Sequence, residues 1–218
     1  MNPRIILWLY VLASVANLIA QIMLSDELNR YTKPVLMPLL LMYIYYRSIG
    51  MTTSKTLLLS VAILFSWLGD VVLMYQSNQS YFIGGIGLFL VAQVTYVIVL
   101  RKSSYQKPKA SFIKTIPFVL YAVFLFSILL PAGAFSIPII VYGLVILLMM
   151  ITAYFRKGLT SQKSFLLVFA GSVLFVLSDS ILAINAFKSP LPYAGFWIMA
   201  TYCIAQYLLV EGVLEHKE

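Results

Sequence analysis

Apolar runs, most of them close to the ~20 residues needed to cross ~30 Å of hydrocarbon, alternate along the chain with short polar or helix-breaking clusters. The pattern predicts eight transmembrane helices: Ile5–Leu24, Pro34–Tyr46, Leu57–Tyr75, Phe82–Leu100, Ile116–Leu130, Ile137–Phe155, Phe165–Ala186 and Tyr193–Leu214. The second is short and opens on Pro34, which suits a first helical turn because its missing N–H is not needed there. Pro38 is expected to kink it. The clusters between the runs, Ser25–Arg30, Gln76–Ser80, Pro131–Gly133 and Lys188–Pro190, are rich in turn-forming and polar residues. Short connections make successive helices antiparallel neighbours. The chain therefore reads as a single polytopic membrane domain over residues 1–218, an all-α integral membrane protein.

Composition agrees. At 62% hydrophobic, 10% charged and a mean hydropathy of +0.96, the charges are too few to cover a water-soluble globule. The same figures exclude a disordered chain, and the lone Cys203 excludes a disulfide scaffold.

A net charge of +8 could point to nucleic acid, but the distribution of the charges decides otherwise. Twelve of the 15 Lys and Arg residues fall on the N-terminal side of the spans: Arg4, Arg47, Lys55, Arg101, Lys102, Lys107, Lys109, Lys114, Arg156, Lys157, Lys163 and Lys217. Arg30, Lys33 and Lys188 fall on the other. Cationic loops mark the cytoplasmic side, so both termini are expected there. The basic residues are topology signals and contacts for anionic headgroups, and no nucleic-acid partner is expected. The first span is too long an apolar run for a signal peptide, so it is expected to be retained.

Of 7 acidic residues, Asp26, Glu27, Glu211, Glu215 and Glu218 sit where water reaches them. Asp70 and Asp179 do not. They fall inside spans three and seven, in Ser66-Trp67-Leu68-Gly69-Asp70 and Leu177-Ser178-Asp179-Ser180. An intramembrane carboxyl is costly and points to function. The small residue before each acid lets a helix or ligand approach. Spans three and seven run the same way, which gives the two acids a common depth. If they face each other they are expected to share a proton, since two desolvated carboxylates cannot both ionise cheaply. The structural alternative is two buried acids tied to neighbouring hydroxyls or backbone.

Other intramembrane polar residues read first as interhelical hydrogen bonds: Asn17 and Gln21 on span one, Gln93 and Tyr96 on span four, Asn185 on span seven, Tyr202 and Gln206 on span eight. Lys33 reads equally as an interfacial anchor or as a cation for a lipid phosphate. With His216 alone in the C-terminal tail, a transition-metal site or a histidine-based triad is not expected. Gly84-Gly85-Ile86-Gly87 opens a span and reads as close helix packing rather than a phosphate loop. Leu68-Gly69-Asp70 and Leu177-Ser178-Asp179 recur four spans apart, followed by Ala92-Gln93 and Ala205-Gln206, which suggests two parallel four-helix halves.

Taken in order, these residues resemble the YhhN family of multi-span membrane proteins, which includes vertebrate lysoplasmalogenases. The marks are Lys33-Pro34 with Met37-Pro38, Gly69-Asp70, Gly87 through Tyr96, Pro138 with Val141-Tyr142 and Met149, Ser178-Asp179-Ser180 with Leu182-Ala183 and Asn185, and Tyr202 with Ala205-Gln206-Tyr207. Many members carry histidine where this chain has Gln93, which puts a proton-transfer role there in doubt. The resemblance implies hydrolysis of the vinyl-ether bond of a lysoplasmalogen to a fatty aldehyde and a glycerophospho-alcohol. It further implies Asp70 and Asp179 as the catalytic pair, with no cofactor. Lys33, Gln93, Tyr96, Asn185, Tyr202 and Gln206 are the residues expected to bind the lysophospholipid. A bacterial inner membrane or its equivalent is the expected location, with the oligomeric state open.

Three other readings compete. A proton-coupled transporter uses intramembrane carboxylates and repeats as well. An intramembrane aspartyl protease fits poorly, because Trp67 stands where the first glycine of a G-x-G-D pattern belongs. A non-catalytic lipid-binding protein is the third.

Overall fold

The computed structural model describes residues 2–49, 54–75, 78–106 and 111–216. Lys107, Lys109, Lys217, Glu218 and the Gln76–Ser77 part of one polar cluster lie outside the described residues. Among the described residues all regular structure is helical: α1 (Pro3–Ile22), α2 (Asp26–Arg47), α3 (Ser54–Leu73), α4 (Gln79–Lys102), α5 (Phe112–Leu129), α6 (Ser136–Tyr154), α7 (Gln162–Phe187) and α8 (Ala194–Glu215). A single 3-10 turn, Gly133–Phe135, leads into α6. Among the described residues seven helices are long and apolar enough to span a membrane, and α2 is the exception. The protein is a multi-pass integral membrane protein.

The departure at α2 has a local cause. Ser25, read as the start of a loop, is an N-cap whose hydroxyl accepts from Leu28 N, and Asp26 and Glu27 follow in the first turn. A capping hydroxyl and acids at the positive end of the helix dipole favour starting the helix here. Pro34 therefore lies in the interior, not at the start, and Lys33 is a helical residue rather than a loop one. The polar first turns of α2 are used as well. Asn29 Oδ1 accepts from Asn17 Nδ2 at 3.0 Å and from Gln21 Nε2 at 2.9 Å, and Thr32 Oγ1 from Asn17 Nδ2 at 2.9 Å. Asn17 and Gln21 are thus the interhelical ties the sequence suggested.

The chain divides into two compact units, Met1–Val99 and Leu100–Glu218, the boundary falling in the last turn of α4. In the first, α1 packs on α2 and α2 on α3, and α3 meets α4 through reciprocal glycines. A Cβ on Gly69 would stand 2.6 Å from the Phe89 ring, and one on Gly85 would stand 2.5 Å from Leu73 Cδ2. The glycines therefore set the helix separation.

In the second unit α7 and α8 make the most extensive pairing. Gly171 faces the α8 backbone at Ala205 and Leu209, Gly212 faces Val168, and Ser164 Oγ donates to Gly212 O at 2.6 Å. Arg156, expected as a loop cation, is fully buried instead. Its Nη2 donates to Ser103 O at 2.7 Å, Ser103 Oγ at 3.2 Å and Ser164 Oγ at 3.3 Å. Burial pushes its guanidinium down to about 10, which leaves it charged at neutral pH. His216 is also buried, with its ring edge-on to Tyr105 at 4.5 Å.

Candidate active site

Each intramembrane aspartate lies in the last third of its helix, and each is held by a different kind of partner. In the first unit Asp70 is buried on α3, and the Lys33 ammonium of α2 stands 3.5 Å from its Oδ1. One turn back, Trp67 Nε1 donates to Pro34 O at 2.8 Å. That carbonyl needs an outside donor, because its helical partner four residues on is Pro38, which has no N–H. The proline pair thus opens a hydrogen-bond position on α2, and the indole fills it beside the ion pair. Two adjacent contacts from α3, at Trp67 and Asp70, fix its register on α2.

Asp179 sits half-buried on α7, where Tyr142 of α6 donates its phenol to Oδ2. Its neighbours are tied to other helices. Ser178 Oγ donates to Ile198 O of α8 at 3.0 Å, and Ser180 Oγ pairs with Tyr121 Oη of α5 at 2.7 Å. Ser180 also donates to Val176 O at 2.6 Å, so its hydroxyl proton is used and Tyr121 is the donor to it. Successive residues of a helix point ~100° apart. Ser178, Asp179 and Ser180 accordingly reach α8, α6 and α5, which locks the rotation of α7 at the carboxyl.

The structure brings some of the remaining sequence candidates to these acids and not others. Lys33 is at Asp70. Gln93 and Tyr96 are both fully buried on α4. The Leu73–Gly85 and Gly69–Phe89 contacts set the α3–α4 register, which places Gln93 about one turn from the level of Asp70 and Tyr96 a turn further. Tyr202 lies edge-on to Phe175 at 5.5 Å, one turn below Asp179. Gln206 is buried at the level of Gly171, roughly 10 Å along the axis from Asp179. Asn185 Oδ1 accepts from Leu191 N at 2.9 Å and so closes the α7–α8 turn. Tyr142 was not among the candidate site residues; its signal was its place, with Val141, among the marks of the family resemblance in an apolar span.

The YhhN family pattern matches residues 28–213, which includes both aspartates, Lys33 and Tyr142. The chain belongs to the YhhN family. Similar proteins include lysoplasmalogenase TMEM86A of Homo sapiens, 29% identical over 161 residues that cover 72% of this chain and 65% of the relative. Lysoplasmalogenase TMEM86B of Rattus norvegicus is 30% identical over 177 residues, 81% of this chain and 70% of the relative. Against TMEM86A, this YhhN chain spans just under two thirds of the relative's length. No solved structure matches it.

Proposed function

We propose that this YhhN protein is a membrane-embedded hydrolase that cleaves the vinyl-ether bond of lysoplasmalogens, with Asp70 and Asp179 as its acid and base. The observation that carries the assignment of roles is the contrast between the partners of the two acids. A lysine ammonium stands 3.5 Å from Asp70 Oδ1, a partner suited to a carboxylate. The partner of Asp179 Oδ2 is a neutral phenol, which brings no opposite charge to the carboxyl.

On this reading Asp179 delivers its proton to the β-carbon of the vinyl ether, and the double bond shifts to give an oxocarbenium ion. The Asp70 carboxylate stabilises the cation and takes a proton from the attacking water, which leaves a neutral hemiacetal. As the hemiacetal C–O bond breaks, Asp70 returns that proton to the leaving glycerol oxygen. Asp179 takes the hydroxyl proton of the hemiacetal. Aldehyde and alcohol leave, and both acids regain their starting states. The logic is that of paired carboxyls in glycoside hydrolysis. Lys33, Gln93, Tyr96, Asn185, Tyr202 and Gln206 are proposed to contribute to lipid binding, and both termini to face the cytoplasm.

The test is incubation of purified protein with 1-alkenyl lysolipids and with matched acyl and alkyl analogues. Aldehyde from the alkenyl compound alone, abolished in Asp70→Asn and in Asp179→Asn, is the expected result. Uptake into proteoliposomes driven by a pH gradient, with no aldehyde, would favour a transporter instead.

A further inference from the structure

Two polar side chains of the first unit are fully buried and have no hydrogen-bond partner: Ser66 Oγ on α3, and Gln93 on α4, where both Nε2 and Oε1 are open. An unpaired amide or hydroxyl in an apolar interior costs several kcal/mol, so such atoms call for an occupant.

The helix register puts the two together. Leu73 meets Gly85, and one turn along the seam Gly69 meets Phe89. Each step of four down α3 is matched by a step of four up α4, so the next turn sets Phe65 and Ser66 against Ala92 and Gln93. Ser66 is also four residues before Asp70, on the same face of α3 and ~6 Å along it.

The chemistry of these open groups is specific. Gln93 offers one donor group and one acceptor, and Ser66 offers a hydroxyl that can act as either. An uncharged molecule that both donates and accepts completes all three, and a buried water needs two to four such partners. We propose that Ser66 and Gln93 hold the water consumed in the hydrolysis. Held there, the water oxygen attacks the oxocarbenium carbon. One of its protons passes to the Asp70 carboxylate and the other stays as the hemiacetal hydroxyl. This deepens the hydrolase reading and rests on it, and it gives Gln93 a role that needs no proton of its own.

The test separates the water from the reaction. Synchrotron hydroxyl-radical labelling of the purified protein marks side chains beside bound water, read by mass spectrometry on the peptides from α3 and α4. Wild type should label at Phe65 and Phe89, and Gln93→Leu and Ser66→Ala should lose most of that labelling. For the alkenyl lysolipid, kcat should fall about tenfold in each variant, the scale of one lost hydrogen bond to the reacting water, with KM unchanged in Ser66→Ala. Ser66→Ala removes a single oxygen and still reads the site should Gln93→Leu not fold. Equal labelling in wild type and variants overturns the water site. Lost labelling with an unchanged kcat overturns its part in the reaction. Labelled wild type that releases no aldehyde overturns the hydrolase reading, while the labelling still decides whether the site exists.

Discussion

The Trp67 indole donates to the Pro34 carbonyl at 2.8 Å, the oxygen that Pro38 leaves without its helical donor. This bond sits one turn from the Lys33–Asp70 pair and holds the same two helices in register. Trp67→Phe keeps most of the apolar ring area and removes the N–H. A buried carbonyl left open costs about 1–3 kcal/mol. The variant should therefore unfold several degrees earlier in detergent, and its aldehyde release should fall through displacement of Lys33 from Asp70.

Lys33 and Asp70 are close to buried, and a buried pair behaves asymmetrically: removing one partner strands the other, at about 3–5 kcal/mol. Lys33→Met and Asp70→Asn should each lower thermal stability. The double variant should recover a large part of that loss, since neither charge is then stranded. Activity should stay absent in the double variant. Stability and activity measured on the same four proteins separate the structural contribution of the pair from the chemical one.

Seven of the eight helices could be read from hydrophobic runs, because a span must be apolar over its whole length. The eighth could not be bounded that way. The first turns of α2 carry Asp26, Glu27, Asn29 and Arg30, and their helicity comes from the Ser25 cap and from partners on α1 rather than from an apolar stripe. The same limit applies to the site. Asp70 and Asp179 stand out because lipid penalises a carboxyl wherever it faces. Lys33, read from sequence as a residue just before a span, and Tyr142, one tyrosine in an apolar span, look ordinary until packing shows what they touch. Arg156 was misread for a related reason: a positive-inside count gives the side of a cation but not its burial.

The glycines give a graded series. A Cβ at Gly212 would meet Leu167 Cβ at 2.9 Å and the Val168 backbone N at 2.9 Å. Gly212→Ala should force α7 and α8 apart and cost about 1–3 kcal/mol. Gly87 lies within α4 with nothing inside 4 Å of a built Cβ, so Gly87→Ala should raise stability by up to about 1 kcal/mol through helix propensity alone. Thermal unfolding of both variants in one detergent tests the contrast.

Arg156 carries its charge into a buried site, and burial pushes its guanidinium down to about 10, well below its ordinary range. The unfolded chain holds that proton more tightly, so burial of the charge opposes folding in full below pH 10, and the penalty fades as pH rises above it. Arg156→Met removes the penalty, keeps most of the volume and gives up the bonds to Ser103 and Ser164. It should lie within about 1 kcal/mol of wild type at pH 7. Arg156→Ala adds a cavity and should fall about 2–4 kcal/mol lower. Chemical denaturation of the two variants side by side reads the difference.

Tyr142 reaches Asp179 through its hydroxyl, and Tyr142→Phe removes that hydrogen bond. The ring stays in place, and the lost hydrogen bond should lower stability by only about 1 kcal/mol. The effect on turnover should be larger. Without the phenol the carboxyl can rotate away from its working orientation, and proton delivery by a positioned acid contributes roughly 10²–10⁴-fold. A drop in kcat of about tenfold or more with little change in KM is therefore expected. The decisive comparison is with Asp179→Asn. If Tyr142 acts through Asp179, the double variant should be no slower than Asp179→Asn by itself. A further loss in the double variant would mean that the phenol touches the substrate directly, and Tyr142 would then belong with the groups that bind the lipid.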